Sequence, residues 1–245
     1  INQTGLFNPE GSNDEVISAK SLPNHRTLYR AEKAQYTLKE GEESLTIPLY
    51  YEDKENGITY IKRYTFVRGS FTIHFEQEVI NDSSLIWQGK AYHQLVEKDT
   101  DIESSGVVGS RSYIGQVISF PNDDIKYKKL KYKDLMEKKG GQLQHRFFSG
   151  ADGWLALIEQ YFTVAWVPGK SKAETGYLST IETFYRQTSN NAKDREYVLR
   201  IFDQHNTEVK PGERGHFESR FYAGPKDKEQ LAATAEKLDL TLDFG

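Results

Sequence analysis

Apolar and polar residues alternate through most of this chain, and a period of two is the signature of half-buried strands. Phe71, Ile73 and Phe75 fall on one parity, Thr72, His74 and Glu76 on the other, and the run continues to Val79 and Ile80. The same pattern recurs at residues 45–51, 58–61, 113–120 and 197–202. Strands are therefore predicted to dominate.

Turn formers separate these runs: Glu55-Asn56-Gly57, Asn81-Asp82-Ser83-Ser84, Pro121-Asn122-Asp123-Asp124, Lys139-Gly140-Gly141 and Lys210-Pro211-Gly212. Asn56-Gly57 between two alternating runs predicts a hairpin with a type I′ turn, which needs positive φ at both central residues. No fixed-period repeat and no long Pro/Gly/Ser linker divides the chain. The expectation is one sandwich or barrel of many short antiparallel strands, with large sheets packed face to face.

Two segments depart from simple alternation. In residues 154–167, Trp154, Leu157, Ile158, Tyr161 and Ala165 fit a helix, while the aromatic and β-branched content fits a strand buried on both faces. Near the C-terminus Pro225 suits a first helical position, and Leu231, Ala235 and Leu238 line one face of a helix predicted over 226–238. Its other face carries Lys226, Asp227, Lys228, Glu229, Glu236 and Lys237.

Composition narrows the class. The 245 residues are 37% hydrophobic and 28% charged, with 15 Tyr, 13 Phe and 3 Trp, which is too apolar for disorder and enough for a substantial core. Lys and Arg number 32 against 36 Asp and Glu, a formal charge of −4 that offers nucleic acid no global attraction. Zero Cys removes disulfides, thiol catalysis and cysteine metal sites together. The most apolar stretch, 154–167, is interrupted by Glu159 and Gln160 and falls short of the roughly 18 apolar residues of a membrane helix. The chain starts at Ile1 and stops after Leu242-Asp243-Phe244-Gly245, which reads as a fragment of something longer.

Catalytic motifs are sparse. Gly169-Lys170-Ser171 resembles the tail of a phosphate loop, but Val164 stands where that loop needs its first glycine. G-x-G-x-x-G, G-x-S-x-G and H-E-x-x-H do not occur. The six histidines, His25, His74, His93, His145, His205 and His216, are spaced singly, so no pair at i, i+2 or i, i+4 presents two imidazoles to a metal. For His74 and His93, inside strand-like runs, the default reading is a sheet-surface or hydrogen-bonded histidine.

Lys126-Tyr127-Lys128-Lys129-Leu130-Lys131-Tyr132-Lys133 reads as an edge strand protected by lysines, with attraction to an anionic membrane next and single-stranded nucleic acid disfavoured by the acidic chain. Trp87, Tyr92, Tyr113 and Trp154 have the chemistry to stack on sugar rings, but core or cross-strand packing is the default.

Taken together, several strings resemble the large periplasmic domain of the bacterial membrane protein insertase YidC, in its Gram-negative form. They are Gln3-Thr4-Gly5-Leu6, Leu28-Tyr29, Tyr36-Thr37-Leu38, Tyr64-Thr65-Phe66-Val67-Arg68-Gly69, Tyr92-His93-Gln94-Leu95 and Ser119-Phe120-Pro121. The most specific is Gly153-Trp154-Leu155-Ala156-Leu157-Ile158-Glu159-Gln160-Tyr161-Phe162, followed by Ala165-Trp166-Val167-Pro168. Tyr222-Ala223-Gly224-Pro225-Lys226 and Leu238-Asp239-Leu240-Thr241-Leu242-Asp243-Phe244-Gly245 close the match, with departures at 170–175 and 190–194.

The resemblance implies an all-β fold with a C-terminal helix: a β-supersandwich of two large antiparallel sheets, galactose mutarotase-like, over 1–224. Residues 225–245 would form the helix and the connection to a following transmembrane helix. It also tips 154–167 toward strand. The implied role is non-catalytic and periplasmic, tethered to the inner membrane. The domain would assist insertion and folding through contacts with SecD, SecF and SecYEG and with nascent inner-membrane proteins, without a cofactor, the isolated domain being a monomer. Pro225, Lys228, Leu231, Ala235 and Leu238 are the candidate coupling residues. Trp154, Tyr161 and Trp166 are candidate groove aromatics, with core packing their default. The alternative is a sugar-binding or mutarotase-like protein using His93 or His145 with a carboxylate as acid and base.

Overall fold

Alternation builds sixteen strands in the computed structural model, which describes residues 1–8, 16–17, 22–98, 113–120, 127–135, 143, 145–149, 153–169, 179–191 and 194–242. In chain order they are β1 (Asn2–Phe7), β2 (Val16–Ile17), β3 (Arg30–Ala31), β4 (Ser44–Asp53), β5 (Ile58–Val67), β6 (Thr72–Asn81), β7 (Ile86–Lys98) and β8 (Gly115–Ser119). There follow β9 (Lys128–Leu130), β10 (His145–Ser149), β11 (Trp154–Ile158), β12 (Phe162–Pro168), β13 (Ser179–Gln187), β14 (Arg195–Asp203), β15 (Thr207–Val209) and β16 (Arg214–Pro225). One helical turn, α1 (Tyr132–Leu135), follows β9; α2 (Lys228–Thr234) and a 3-10 helix (Leu238–Leu242) follow β16.

The strands form two sheets. Nine run in the order β3-β4-β5-β6-β16-β12-β11-β8-β9, and seven in the order β1-β7-β14-β13-β10, with β15 and β2 also on β7. All pairings are antiparallel except the two-residue β2–β7 contact. The two large antiparallel sheets that the resemblance implies are present. In β6 the inward parity holds for Phe75 and Val79, but Gln77 takes a core position and Phe71 precedes the strand, 42% exposed.

The sheets meet through Phe75, Ile118, Leu155 and Trp166 of one against Leu95, Ile181, Leu199 and Ile201 of the other. A second cluster joins Ile58, Tyr60, Val79 and Phe217 to Leu6, Trp87 and Val209. Trp166 bridges the sheets directly: its ring stacks on His93 at 4.1 Å and 21°, and its Nε1 donates to Asn2 Oδ1 at 2.7 Å. Trp87 Nε1 likewise donates to Tyr60 Oη at 3.0 Å. Each indole buries a large apolar area without orphaning its N–H.

Several expectations need correction. The β4–β5 hairpin is real, but its connection is four residues, with Asp53 opposite Ile58 and positive φ at Gly57 alone. Asn56 instead donates through Nδ2 to Asp53 Oδ2 at 2.7 Å, so a side-chain bond shapes the turn. Residues 154–167 form not one element but the hairpin β11–β12, closed where Glu159 N–H donates to the Phe162 carbonyl at 3.0 Å. β11 is buried on both faces, which erased its alternation.

At the C-terminus Pro225 is not a first helical residue; it ends β16 opposite Phe162. Asp227 caps the helix instead, extended at φ −95°, its side chain accepting the Gln230 N–H at 2.9 Å. The helix stops at Thr234, Ala235 is extended, and Lys237 at φ +60° redirects the chain into the 3-10 helix. The lysine run supplies β9, an edge strand with Lys128 and Lys129 exposed, then α1. Turns expected at 121–124 and 139–141, and the departures at 170–175, lie outside the described residues.

Lys62 and Lys90 are both buried cations, and Lys62 lies between the sheets. Lys62 is 6% exposed, its Nζ donating to the Thr4 carbonyl at 3.0 Å and lying 4.5 Å from the Tyr29 ring centre. Burial pushes its amine down from 10.5 to about 8. The folded chain thus releases a proton that the unfolded chain keeps, and stability rises with pH between about 8 and 10.5 on this account. Replacing Lys62 by Met should flatten that rise and stabilise the fold at pH 7 by up to ~3 kcal/mol. Urea titrations of both chains from pH 7 to 10 check it; parallel pH dependences would refute it.

Candidate functional site

The outer face of the nine-stranded sheet is divided into an apolar half and a charged half. On the apolar half, Leu231 of α2 and Leu238 of the 3-10 helix are fully buried against Trp154, Ala156, Ile158, Ala165 and Tyr222. Ala235 packs on the same cluster, half-buried. Polar contacts fix the register: Trp154 Nε1 donates to the Glu236 carbonyl at 3.0 Å, and the Thr72 and Thr234 hydroxyls meet at 2.6 Å. Arg220 donates to the Thr234 carbonyl, satisfying an orphan acceptor at the helix end. The sequence-predicted residues Leu231, Ala235 and Leu238 are thus brought together, through two short helices rather than one. Lys228 faces solvent.

Where β16 runs into α2, the apolar surface is left open. Tyr161 and Phe162 at the β11–β12 turn are 68% and 54% exposed, and Phe71 stands beside them. Phe71 and Phe162 border a groove of about 350 Å³ lined also by Leu157, Glu159, Thr163, Val164 and Pro225. Phe71 lies across Gly224, where any Cβ would sit 2.5 Å from its ring, so only glycine admits this packing. The Lys226 N–H donates to the Tyr161 carbonyl at 2.9 Å, tying the aromatic tip to the start of the helical segment. Of the three aromatics singled out by sequence, Trp154 and Trp166 are core, whereas Tyr161 is not. The polar Glu159-Gln160 pair marks a turn that lifts it out of the sheet. Phe71 and Phe162 were missed, because alternation assigns Phe71 to an inward parity.

The charged half carries a ladder across β5, β6 and β16. Glu78, 3% exposed, accepts from Arg63 Nη2 at 2.6 Å and Arg214 Nη1 at 2.7 Å; Glu76 accepts from Arg63 Nη1 at 2.8 Å. Burial alone would raise the Glu78 carboxyl, but the two guanidiniums outweigh it and hold it below its ordinary value. Beside the ladder lies an open cleft of about 600 Å³ lined by Thr46, Arg63, Thr65, His74, Glu218 and Arg220. Charges of both signs face it.

The sugar-chemistry candidates stand elsewhere. His93 is buried between the sheets, its Nδ1 3.1 Å from Thr4 Oγ1, and burial, reinforced by the Lys62 charge, holds its imidazole down at about 3. It is a neutral packing group at ordinary pH. His145 sits on β10 near Phe147. Among the described residues no carboxylate is hydrogen-bonded to either ring, and no group of three His, Asp or Glu side chains could hold a metal.

Fold and site together define a supersandwich domain whose C-terminal helices clasp the outside of its larger sheet. Its sequence is similar to that of membrane protein insertases. Residues 3–245 match the model of the YidC periplasmic domain, and the chain belongs to that family. The membrane protein insertase YidC of Nitrosococcus oceani is 36% identical over 245 residues, all of this chain and 39% of that protein. The chain spans about two fifths of the length of the curated relatives it matches. Among solved structures, the GH36 alpha-galactosidase AgaB of Geobacillus stearothermophilus superposes at TM-score 0.51 and 12% identity, over 96% of this chain and 31% of that one. A galactose mutarotase-like protein of Clostridium acetobutylicum gives TM-score 0.46 at 9% identity, over 82% of this chain and 68% of that one. The superposition on AgaB speaks to fold alone. Among the described residues no helix is long and apolar enough to cross a membrane.

Leu231→Ala empties a fully buried site and should cost about 2–5 kcal/mol. Because the clasp lies outside the inter-sheet core, hydrogen exchange should rise at 226–242 while amides of β7 and β14 stay protected. Uniform loss of protection across both sheets would refute this separation.

Proposed function

We propose that this chain is a non-catalytic periplasmic accessory of a membrane protein insertase, held at the bacterial inner membrane by its parent. It assists insertion and folding by contacting apolar polypeptide and Sec translocon components. The observation that carries this reading is the open, largely apolar groove bordered by Phe71 and Phe162, with the exposed Tyr161 at the adjoining turn tied to the clasp by the Lys226–Tyr161 hydrogen bond. Exposed aromatics around a groove are the kind of surface that takes large apolar side chains. A nascent transmembrane segment presents such side chains in series. SecD, SecF and SecYEG are the translocon partners that family membership suggests, and the isolated chain is a monomer in this reading.

In this reading residues 1–224 are the accessory body and 225–245 the element coupling it to the membrane-embedded part. Pro225 ends the last strand, Lys228 faces outward for contact, and Leu231, Ala235 and Leu238 transmit the position of the sandwich. The carbohydrate-active alternative lacks a comparable observation, since His93 is sealed between the sheets without a carboxylate partner among the described residues.

In membranes carrying the full-length parent, a photoreactive residue at Tyr161 or Lys228 should give adducts with nascent membrane proteins or Sec components, and one at Lys131 on the far edge should give fewer. Equal labelling from all three, or none together with sugar epimerisation by the purified chain, would overturn the reading. Leu231→Asp or Leu238→Asp should impair insertion more than deletion of a surface loop. Tyr161→Asp, at an exposed position that leaves the core intact, should do so without lowering stability; wild-type insertion by all three variants would sink the proposal.

A further inference from the structure

The outer face of the seven-stranded sheet carries a second concavity, remote in sequence from the clasp. Tyr92 and Gln94 of β7, Arg200 of β14, and Phe184 and Arg186 of β13 form its floor, enclosing about 370 Å³. Residues 22–27 form its rim, held down where Leu6 N–H donates to the Pro23 carbonyl at 2.9 Å and His25 N–H donates to Tyr92 Oη at 3.1 Å. A Cβ at position 5 would meet Tyr92 Oη at 2.7 Å and Asn24 Cα at 2.8 Å, so Gly5 lets this loop close on the sheet.

The charge inside is one-sided. Arg26, Arg186 and Arg200 line the pocket with His25, and no carboxylate does. Beneath it, Glu196 accepts from Arg186 at 2.7 Å, while Glu182 is shared between Arg146 at 2.5 Å and Arg200. The three guanidiniums that line the pocket thus face two carboxylates, one of them shared with Arg146 outside it, and positive charge is in excess. Arg200 Nε is buried without a hydrogen-bond partner, and its guanidinium is held between the Phe184 and Phe202 rings at 5.6 and 5.3 Å. The Arg26 side chain has no partner among the described residues and is exposed at the rim. The His25 imidazole is pushed down, first by burial and then by Arg26 and Arg186, which registers the same cationic field.

We infer that this pocket binds a phosphate group, with Arg26, Arg186 and Arg200 as its guanidinium ligands and Tyr92 and Gln94 as neutral hydrogen-bonding groups. A phosphate anion matches this excess of positive charge, and its oxygens suit donors converging from a floor and a rim. The cavity has room for a glycerol attached to the phosphate, so both a soluble phosphate ester and a phospholipid headgroup carry the required chemistry.

The test is calorimetric titration of the 245-residue chain with inorganic phosphate and with glycerol phosphate at low ionic strength, where such contacts are least screened. Saturable binding should appear, weakened about tenfold or more by Arg26→Glu and by Arg186→Gln. Arg30→Glu, an exposed arginine on the other sheet, should leave it unchanged. Absence of saturable binding, or equal weakening by Arg30→Glu, would overturn the inference. Cosedimentation with phosphatidylglycerol vesicles that is lost in Arg26→Glu identifies a lipid headgroup as the source. Binding of the soluble phosphates alone identifies a soluble ester.

Discussion

The contact on which the sandwich depends is the stack of Trp166 on His93. One ring comes from β12 of the larger sheet and the other from β7 of the smaller, and Phe75 closes edge-on against both. An imidazole serves there only if it stays uncharged, because a protonated ring would bury a charge between two apolar faces. Burial guarantees this by holding the ring near 3, with Thr4 Oγ1 as a hydrogen-bond partner. Thr4 also supplies the carbonyl that takes the Lys62 amine. The first strand therefore closes the core and answers two of the polar side chains that it encloses, His93 and Lys62.

This arrangement leaves the outer faces free for other duties. A sheet that packs on one side only would alternate apolar and polar, as β6 largely does. β11 does not, since Leu155 and Leu157 face the inter-sheet core while Trp154, Ala156 and Ile158 face the clasp. The apolar half of the outer surface ends where the Arg63–Glu78–Arg214 ladder begins. Two guanidiniums around one buried carboxylate satisfy it where no helix covers the sheet.

Much of this was legible in the sequence. Period-two runs located β4, β5, β6, β8 and β14, and the spacing of Leu231, Ala235 and Leu238 correctly grouped three side chains on one cluster. The same spacing misread the backbone, because two short helices separated by Lys237 at positive φ bring the same residues together as one longer helix would. Pro225 misled because a proline also ends a strand well, and the Asp227 cap two residues on decides the start. Of the exposed aromatics Tyr161 was singled out, while Phe71 was missed for another reason: it stands at a bend before β6, where the period-two parity no longer applies. The arginine pocket joins residues 26, 186 and 200 across a sheet and a loop, and no local spacing encodes that.

The size of the clasp bears on its proposed coupling role. A seven-residue helix is far shorter than the 12 to 15 residues at which an isolated helix becomes even marginal in water. α2 therefore owes its existence to docking: to Leu231 and Leu238 in the Trp154 cluster, to the Asp227 cap, and to the bonds from Thr72 and Arg220 at its far end. An element stabilised by its seat, not by itself, reports any change in that seat. The Lys226–Tyr161 bond places one end of it at the aromatic rim, so a polypeptide filling the groove would press on the same hairpin that anchors the helix. Coupling between groove and clasp then needs no long pathway, only a shared strand pair and a helix too short to stand alone.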